Sequence, residues 1–365
     1  MHMADALISP AVGATMCIVS GFMLVKSAKK IRAEADDRKT PLMGILGAFI
    51  FAAQMINFTI PGTGSSGHLG GGLLLSILLG PNAAFLVMAS ILTVQALFFA
   101  DGGLLALGCN IFNLGFMTCF LAYPLIYRPL VKTHQNLRRV MLASVLAGIV
   151  GLQLGATAVV LETVASGVVD LSIQSFATLM LPIHLGIGLV EGWVTFGVVA
   201  FIYRTRPELL ENTQQEGLDK AQLKKCFLNF GLATVLVGCG LSWFASAHPD
   251  GLEWALEKTP LRHEAQNSGQ LHETLSTLQD KTAIMPDYGF KNNKRTEATI
   301  VQQSEAAVIE NISKPSVTSE ASHSPTPSWP AIDPATSLAG LFGGALTLII
   351  VALMGWILRR RQAFV

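Results

Sequence analysis

Two long stretches of this sequence carry almost no charge. Between Thr40 and Arg128 there is no Lys or Arg and one acid, Asp101; between Val140 and Tyr203 the only charges are Glu162, Asp170 and Glu191. Each is long enough for several apolar crossings of a ~30 Å hydrocarbon core at ~20 residues apiece, and neither could give a globule a water-compatible surface. The chain as a whole follows suit, with 13% charged residues against the ~25% of soluble domains. It reads as an all-α integral membrane protein with spans near 10–26, 41–60, 69–79, 82–100, 104–126, 140–162, 177–203, 225–246 and 336–358. The third is too short to cross as a regular helix, which predicts a broken or tilted segment beside a protein-lined cavity.

Eighteen of the 25 basic residues lie in four clusters, 26–39, 128–139, 204–225 and 359–361, and with nine spans all four fall on one face. The positive-inside rule makes that face cytoplasmic, so the N-terminus is expected outside and the C-terminus inside. The apolar run near the N-terminus has no basic residues before it and should be retained rather than cleaved as a signal peptide. Segment 259–335 is rich in Ser, Thr, Glu, Asn, Gln and Pro and reads as a largely extended tether. The expected organisation is a seven-span unit over 1–205, a cytoplasmic linker over 206–224, and a two-span hairpin over 225–365 with a long outer loop, 247–335.

Near-neutral net charge without a basic stripe argues against a nucleic-acid partner. Five Cys with no Cys-x-x-Cys pair argue against a disulfide frame or a thiolate metal site. Gly62-Thr-Gly-Ser-Ser-Gly67 matches G-x-G-x-x-G, but it follows a membrane helix and no acid lies ~20 residues on, so the dinucleotide reading fails. Its glycines suit a loop that folds into a crowded bundle mouth.

The start of the chain carries the chemistry. In Met1-His2 the α-amine, the amide nitrogen of His2 and its imidazole can close adjoining five- and six-membered chelate rings on one ion. Such an all-nitrogen planar set selects Ni(II) or Cu(II) over Zn, Mg or Ca. A fourth nitrogen is needed, and His68 is the candidate on the same outer side. Read singly, His2 is a polar N-terminal residue and the loop around His68 a flexible connector; together they suggest a site.

These residues resemble a known family. Met1-His2, Asp5, Ser9-Pro10, the Gly-rich loop ending His68-Leu-Gly-Gly71, and His184-x6-Glu191-x3-Thr195 look like the CbiM/NikM substrate-capture component of energy-coupling-factor nickel and cobalt transporters. Pro249-Asp-Gly-Leu-Glu253 plus the last span resembles the N component, here fused, in a form more typical of nickel than of cobalt. Met3, Ala4 and Ala6 stand where Ile, Pro and Gly are usual. The resemblance implies a seven-helix S-component bundle in a bacterial or archaeal cell membrane, with no resident cofactor. It also implies Ni2+ (or Co2+) held as transported substrate by Met1, His2 and His68. A transmembrane scaffold subunit and ATPase subunits are the implied partners, since this chain has no G-x-x-x-x-G-K-[ST].

Asp5 could orient His2 through its second ring nitrogen. His184 and Glu191, seven apart on one helix face, must face the bundle; with Asn57 they are candidates for supporting the ligands or for helix packing. His248, His263, His272 and His323, scattered without fixed spacing, read as solvated. Gly44, Ala48 and Ala52 form a small-residue stripe that permits close helix contact, either with the scaffold subunit or within the bundle. A membrane metalloenzyme would need a general base beside an open metal position, and no His-Glu-x-x-His occurs. A channel would need a continuous polar pore, whereas these ligands cluster at one mouth.

Overall fold

The computed structural model describes residues 1–34, 39–131, 136–169, 172–205, 207, 210, 220–259, 269–291, 330 and 332–360. After a 3-10 turn, Asp5–Leu7, come α1 (Pro10–Glu34), α2 (Lys39–Gln54), α3 (Gly72–Leu79), α4 (Pro81–Phe99), α5 (Leu107–Leu130), α6 (Leu137–Ser166) and α7 (Ile173–Thr205). The C-terminal part adds α8 (Lys220–Cys239), α9 (Gly251–Lys258), α10 (Gln270–Thr282) and α11 (Pro334–Arg360). Seven helices among the described residues are long and apolar enough to cross a membrane. The two of the nine expected spans that fall short are α2, with 16 residues, and α3, with 8.

The shortening of α2 has a local cause. The helix expected over 41–60 ends at Gln54, and Phe58–Ile60 forms a strand, β1, that pairs antiparallel with β2, Ser65–Gly67. Between them Pro61-Gly62-Thr-Gly64 turns the chain, with Gly62 at φ +78° and Gly64 at φ +76°. The glycine motif thus makes the tip of a small hairpin, and β2 delivers His68 into the mouth. Short α3 follows and joins α4 through the single residue Gly80, at φ +79°. The most enclosed of the long helices is α4, 78% buried over its apolar window.

Helices approach where side chains are absent. A Cβ on Gly148 of α6 would stand 2.8 Å from the carbonyl oxygen of Gly188 on α7, and Gly192 abuts the backbone of α6 in the same way. In lipid, such close backbone contact supplies the packing attraction that hydrophobic burial supplies in water.

Three expectations are corrected. The stripe Gly44, Ala48, Ala52 is covered by this chain's own hairpin: Gly44 faces Leu348, Ala48 packs on Gly344, and Ala52 on Gly238. Ala48 and Ala52 are buried, so the stripe serves internal packing and is closed to a scaffold subunit. Segment 259–335 is not simply extended, because α10 is a regular helix with its own contacts on the bundle. His272 is not merely solvated: its Nε2–H donates to the carbonyl oxygen of Ile8 at 2.9 Å. His263, His323, most of the 206–224 linker and the Ser324–Trp329 run lie outside the described residues.

Candidate metal centre at one mouth of the bundle

The first residues thread into the mouth and are fixed by backbone pairing. Met3 N–H donates to Asn110 Oδ1 at 2.8 Å, Asn110 Nδ2 donates to Met3 O at 3.1 Å, and Gly103 N–H donates to the same oxygen at 2.9 Å. Met1 and Met3 are buried, so burial of two thioether side chains drives the insertion that these bonds orient. Asp5 takes a different part from the one expected. Its Oδ1 accepts from Leu105 N–H (2.7 Å) and Ala106 N–H (3.0 Å), tying the N-terminus to the loop before α5 rather than steering His2.

The imidazoles of His2 and His68 stack, with ring centroids 4.9 Å apart and planes 15° from parallel. The Met1 ammonium pairs with Asp250 Oδ2 at 2.8 Å, and His2 Nδ1 lies 3.3 Å from Asp101 Oδ1. Each nitrogen that begins or ends the potential chelate is therefore held by a carboxylate. His68 Nδ1–H donates to Leu69 O at 3.1 Å, leaving Nε2 as the lone-pair nitrogen; that Nε2 is buried and has no partner, as are His2 Nε2 and His184 Nε2. Met1, His68, His184 and Asp250 border one small cavity of about 10 Å³, the size of a single water or ion.

A supporting layer fixes His68. Glu191 accepts Gly70 N–H on Oε2 at 2.7 Å and Gly71 N–H on Oε1 at 3.1 Å. Gly71 sits at φ +78°, a conformation that turns its N–H toward the carboxylate and that side-chain-bearing residues rarely adopt. Gln95 donates to Gln54, which donates to Gly70 O at 2.7 Å. His184 Nδ1–H is tied to Met180 O at 2.8 Å, which aims Nε2 toward the cavity. Asn57 stands apart from the centre; its carbonyl oxygen accepts from Ser246 N–H.

Burial is the dominant electrostatic influence. It pushes the His2 imidazole down to about 3, helped by the Met1 ammonium, and His68 down to about 4, helped by the ammonium and by His2. Both rings are thus neutral, as ligation requires. Burial raises the Asp101 carboxyl, opposed by the hydrogen bond from Tyr288. For Asp250 burial acts upward, but the adjacent ammonium overcomes it and holds the carboxyl below the usual range.

Three of these residues, Asp101, Asp250 and Tyr288, were not singled out from sequence. Asp101 could have been, as the one acid in an 87-residue stretch without basic residues. Asp250 belongs to the Pro249-Asp-Gly-Leu-Glu253 marker, but nothing in its spacing says that it meets Met1. It also caps α9, accepting from Leu252 N–H and Glu253 N–H at 2.8 Å each, while Ser66 reaches His248 O and Pro249 O beside it. Tyr288, from the middle of the loop 247–335, donates to Asp101 Oδ2 at 2.6 Å and stacks on Phe99. Among the described residues no three His, Cys, Asp or Glu form a metal-holding group.

A bundle of helices long and apolar enough to cross a membrane thus holds, at one mouth, a small cavity bordered by Met1, His68, His184 and Asp250. Residues 2–209 match the family model for CbiM, the cobalt uptake substrate-specific transmembrane region, and residues 224–360 match the PDGLE domain. The chain belongs to the CbiM family, as a substrate-capture component fused to a PDGLE-bearing N component. It is a multi-pass cell-membrane protein of nickel and cobalt transport. It is 37% identical over 217 residues to a putative fused nickel transport protein NikMN of Archaeoglobus fulgidus, covering 60% of this chain and 70% of that protein. To the fused nickel transport protein NikMN of Rhodobacter capsulatus it is 31% identical over 275 residues, 70% of this chain and 76% of that one. A crystal structure of a transition metal transporter aligns at a TM-score of 0.51 with 30% identity, covering 60% of this chain and all of that one.

Proposed function

We propose that this chain captures Ni2+ at the outer mouth for import by an energy-coupling-factor transporter. The observation that carries the reading is the convergence of the Met1 amine, His2 and a stacked His68 beside an ion-sized cavity. A planar metal would take the Met1 amine, the deprotonated amide and Nδ1 of His2, and Nε2 of His68. Binding then requires the amine to leave Asp250 and Nδ1 to leave Asp101. The two carboxylates stay close by and offset the charge of the dication.

Power comes from ATPase subunits through a transmembrane scaffold, which docks on a face other than the α2 stripe. Residues 1–205 form the capture unit and 225–365 the hairpin, with the N-terminus outside. Co2+ is the alternative substrate, favoured by the cobalt description of the matching family.

The test is the addition of residues before Met1, which turns the amine into an amide. Nickel affinity should fall by roughly 100-fold or more, with membrane insertion intact, and the planar low-spin Ni(II) absorption band should vanish. His68→Ala should do similar damage and His184→Ala much less. Tight nickel binding by the extended protein would refute the site, and cobalt outcompeting nickel would reverse the choice of metal.

A further inference from the structure

The hairpin closes on the bundle unevenly. Helix α8 packs along α2 and α11 but stands off α7, leaving an apolar groove open to the bilayer. Two cavities of about 280 Å³ and 250 Å³ make up this groove and share Phe49 and Val198 as lining residues. Along α7 the lining runs from Val190 to Ile202, about 18 Å at 1.5 Å per residue. That is close to half of a ~30 Å hydrocarbon core, the reach of one acyl chain from one leaflet.

The end of the groove remote from the candidate metal centre has one polar lining residue, Asn229, with two basic residues a helical turn along the chain from its lining. Asn229 lines it, is exposed, and makes no hydrogen bond among the described residues. Lys225 precedes Asn229 by one turn on the same helix face, and Arg204 lies one turn beyond Phe201 on α7. Both are exposed, without an ion-pair partner among the described residues. An uncompensated amide at membrane depth is costly, and two cations beside an acyl-sized slot complement an anionic headgroup.

We propose that this groove binds one anionic phospholipid, with an acyl chain between α7 and α8 and its phosphate received by Arg204, Lys225 and Asn229. The lipid would fill the seam that the fused hairpin leaves open and bind its two halves together.

The full chain, stripped of native lipid in detergent, would be offered phosphatidylglycerol or phosphatidylcholine and examined by native mass spectrometry and thermal unfolding. One phosphatidylglycerol should be retained per chain, at least about fivefold over phosphatidylcholine, and it alone should raise the unfolding midpoint. Arg204→Gln with Lys225→Gln should abolish the preference. Ala233→Phe, which fills the slot, should reduce retention of both lipids. The charge variants alter exposed side chains only, so they remain decisive if the slot-filling variant misfolds by circular dichroism. Equal retention of the two lipids, or stabilisation by inorganic phosphate alone, would overturn the proposal. So would cross-linking of Gly197→Cys to another subunit across the groove in an assembled transporter.

Discussion

At the mouth that holds the N-terminus the C-terminal segments are joined to the bundle by polar contacts, whereas along the apolar helices they are joined by close packing. The attachment at the mouth consists of Asp250 on the Met1 amine, Tyr288 on Asp101, His272 on Ile8, and Gln279 Nε2 on the carbonyls of Ala96 and Gly102. The inner attachment is a seam of small residues, in which a Cβ on Gly340 would stand 2.9 Å from Gly238 Cα while Gly344 meets Ala48. The difference follows from the solvent. In lipid, apolar side chains gain nothing by leaving their surroundings, so only interdigitation holds helices together. At the mouth, a buried polar pair can be exchanged for another partner without moving a helix. The seam is therefore the fixed joint, and the mouth is where, on the function proposed above, a cation would take over contacts already made.

Asp250→Asn tests the mouth most severely. It keeps an acceptor for the α9 cap but leaves the buried Met1 ammonium without its counter-charge, at a cost of about 3 kcal/mol to the metal-free protein. The measurement is a thermal or denaturant midpoint, and an unchanged midpoint would show that the ion pair contributes nothing. Gly340→Leu tests the seam. Forcing a branched side chain against Gly238 should cost roughly 1–3 kcal/mol. Because α8 and α11 carry the loop that bears Asp250 and Tyr288, nickel affinity should fall with stability. Loss of stability at full affinity would mean that the mouth holds without the seam.

Acid separates the regions in another way. The folded protein keeps His2 and His68 neutral down to about 3 and 4, whereas the unfolded chain protonates them near 6.5. The unfolded state then binds more protons in that window, so stability contributed by these groups is complete above 6.5 and is lost as pH falls toward 4. His68→Gln should flatten this slope, and Gly340→Leu should not. The smallest effect is expected from Tyr288→Phe. It keeps the stack on Phe99 and removes one hydrogen bond to Asp101, for about 1 kcal/mol or several-fold in nickel affinity by calorimetry.

Much was legible in the chain because membrane insertion depends on local composition. Runs without charge set the long helices, the basic clusters set their grouping, and the order of nitrogens in Met1-His2 set which chelate is possible, all independent of distant contacts. The G-x-G-x-x-G segment was legible as a turn, but its pairing into β1 and β2 depended on Pro61 and on room at the mouth. What tertiary structure alone decided was pairing across sequence distance. That Asp250 meets Met1, 249 residues away, that Tyr288 reaches Asp101, and that Gly44, Ala48 and Ala52 receive the hairpin rather than another subunit are matters of which surfaces meet. A small-residue stripe specifies how closely a helix can approach but carries no information about which helix arrives. A carboxylate specifies charge but not its counter-ion, and only the packed bundle brings the two together.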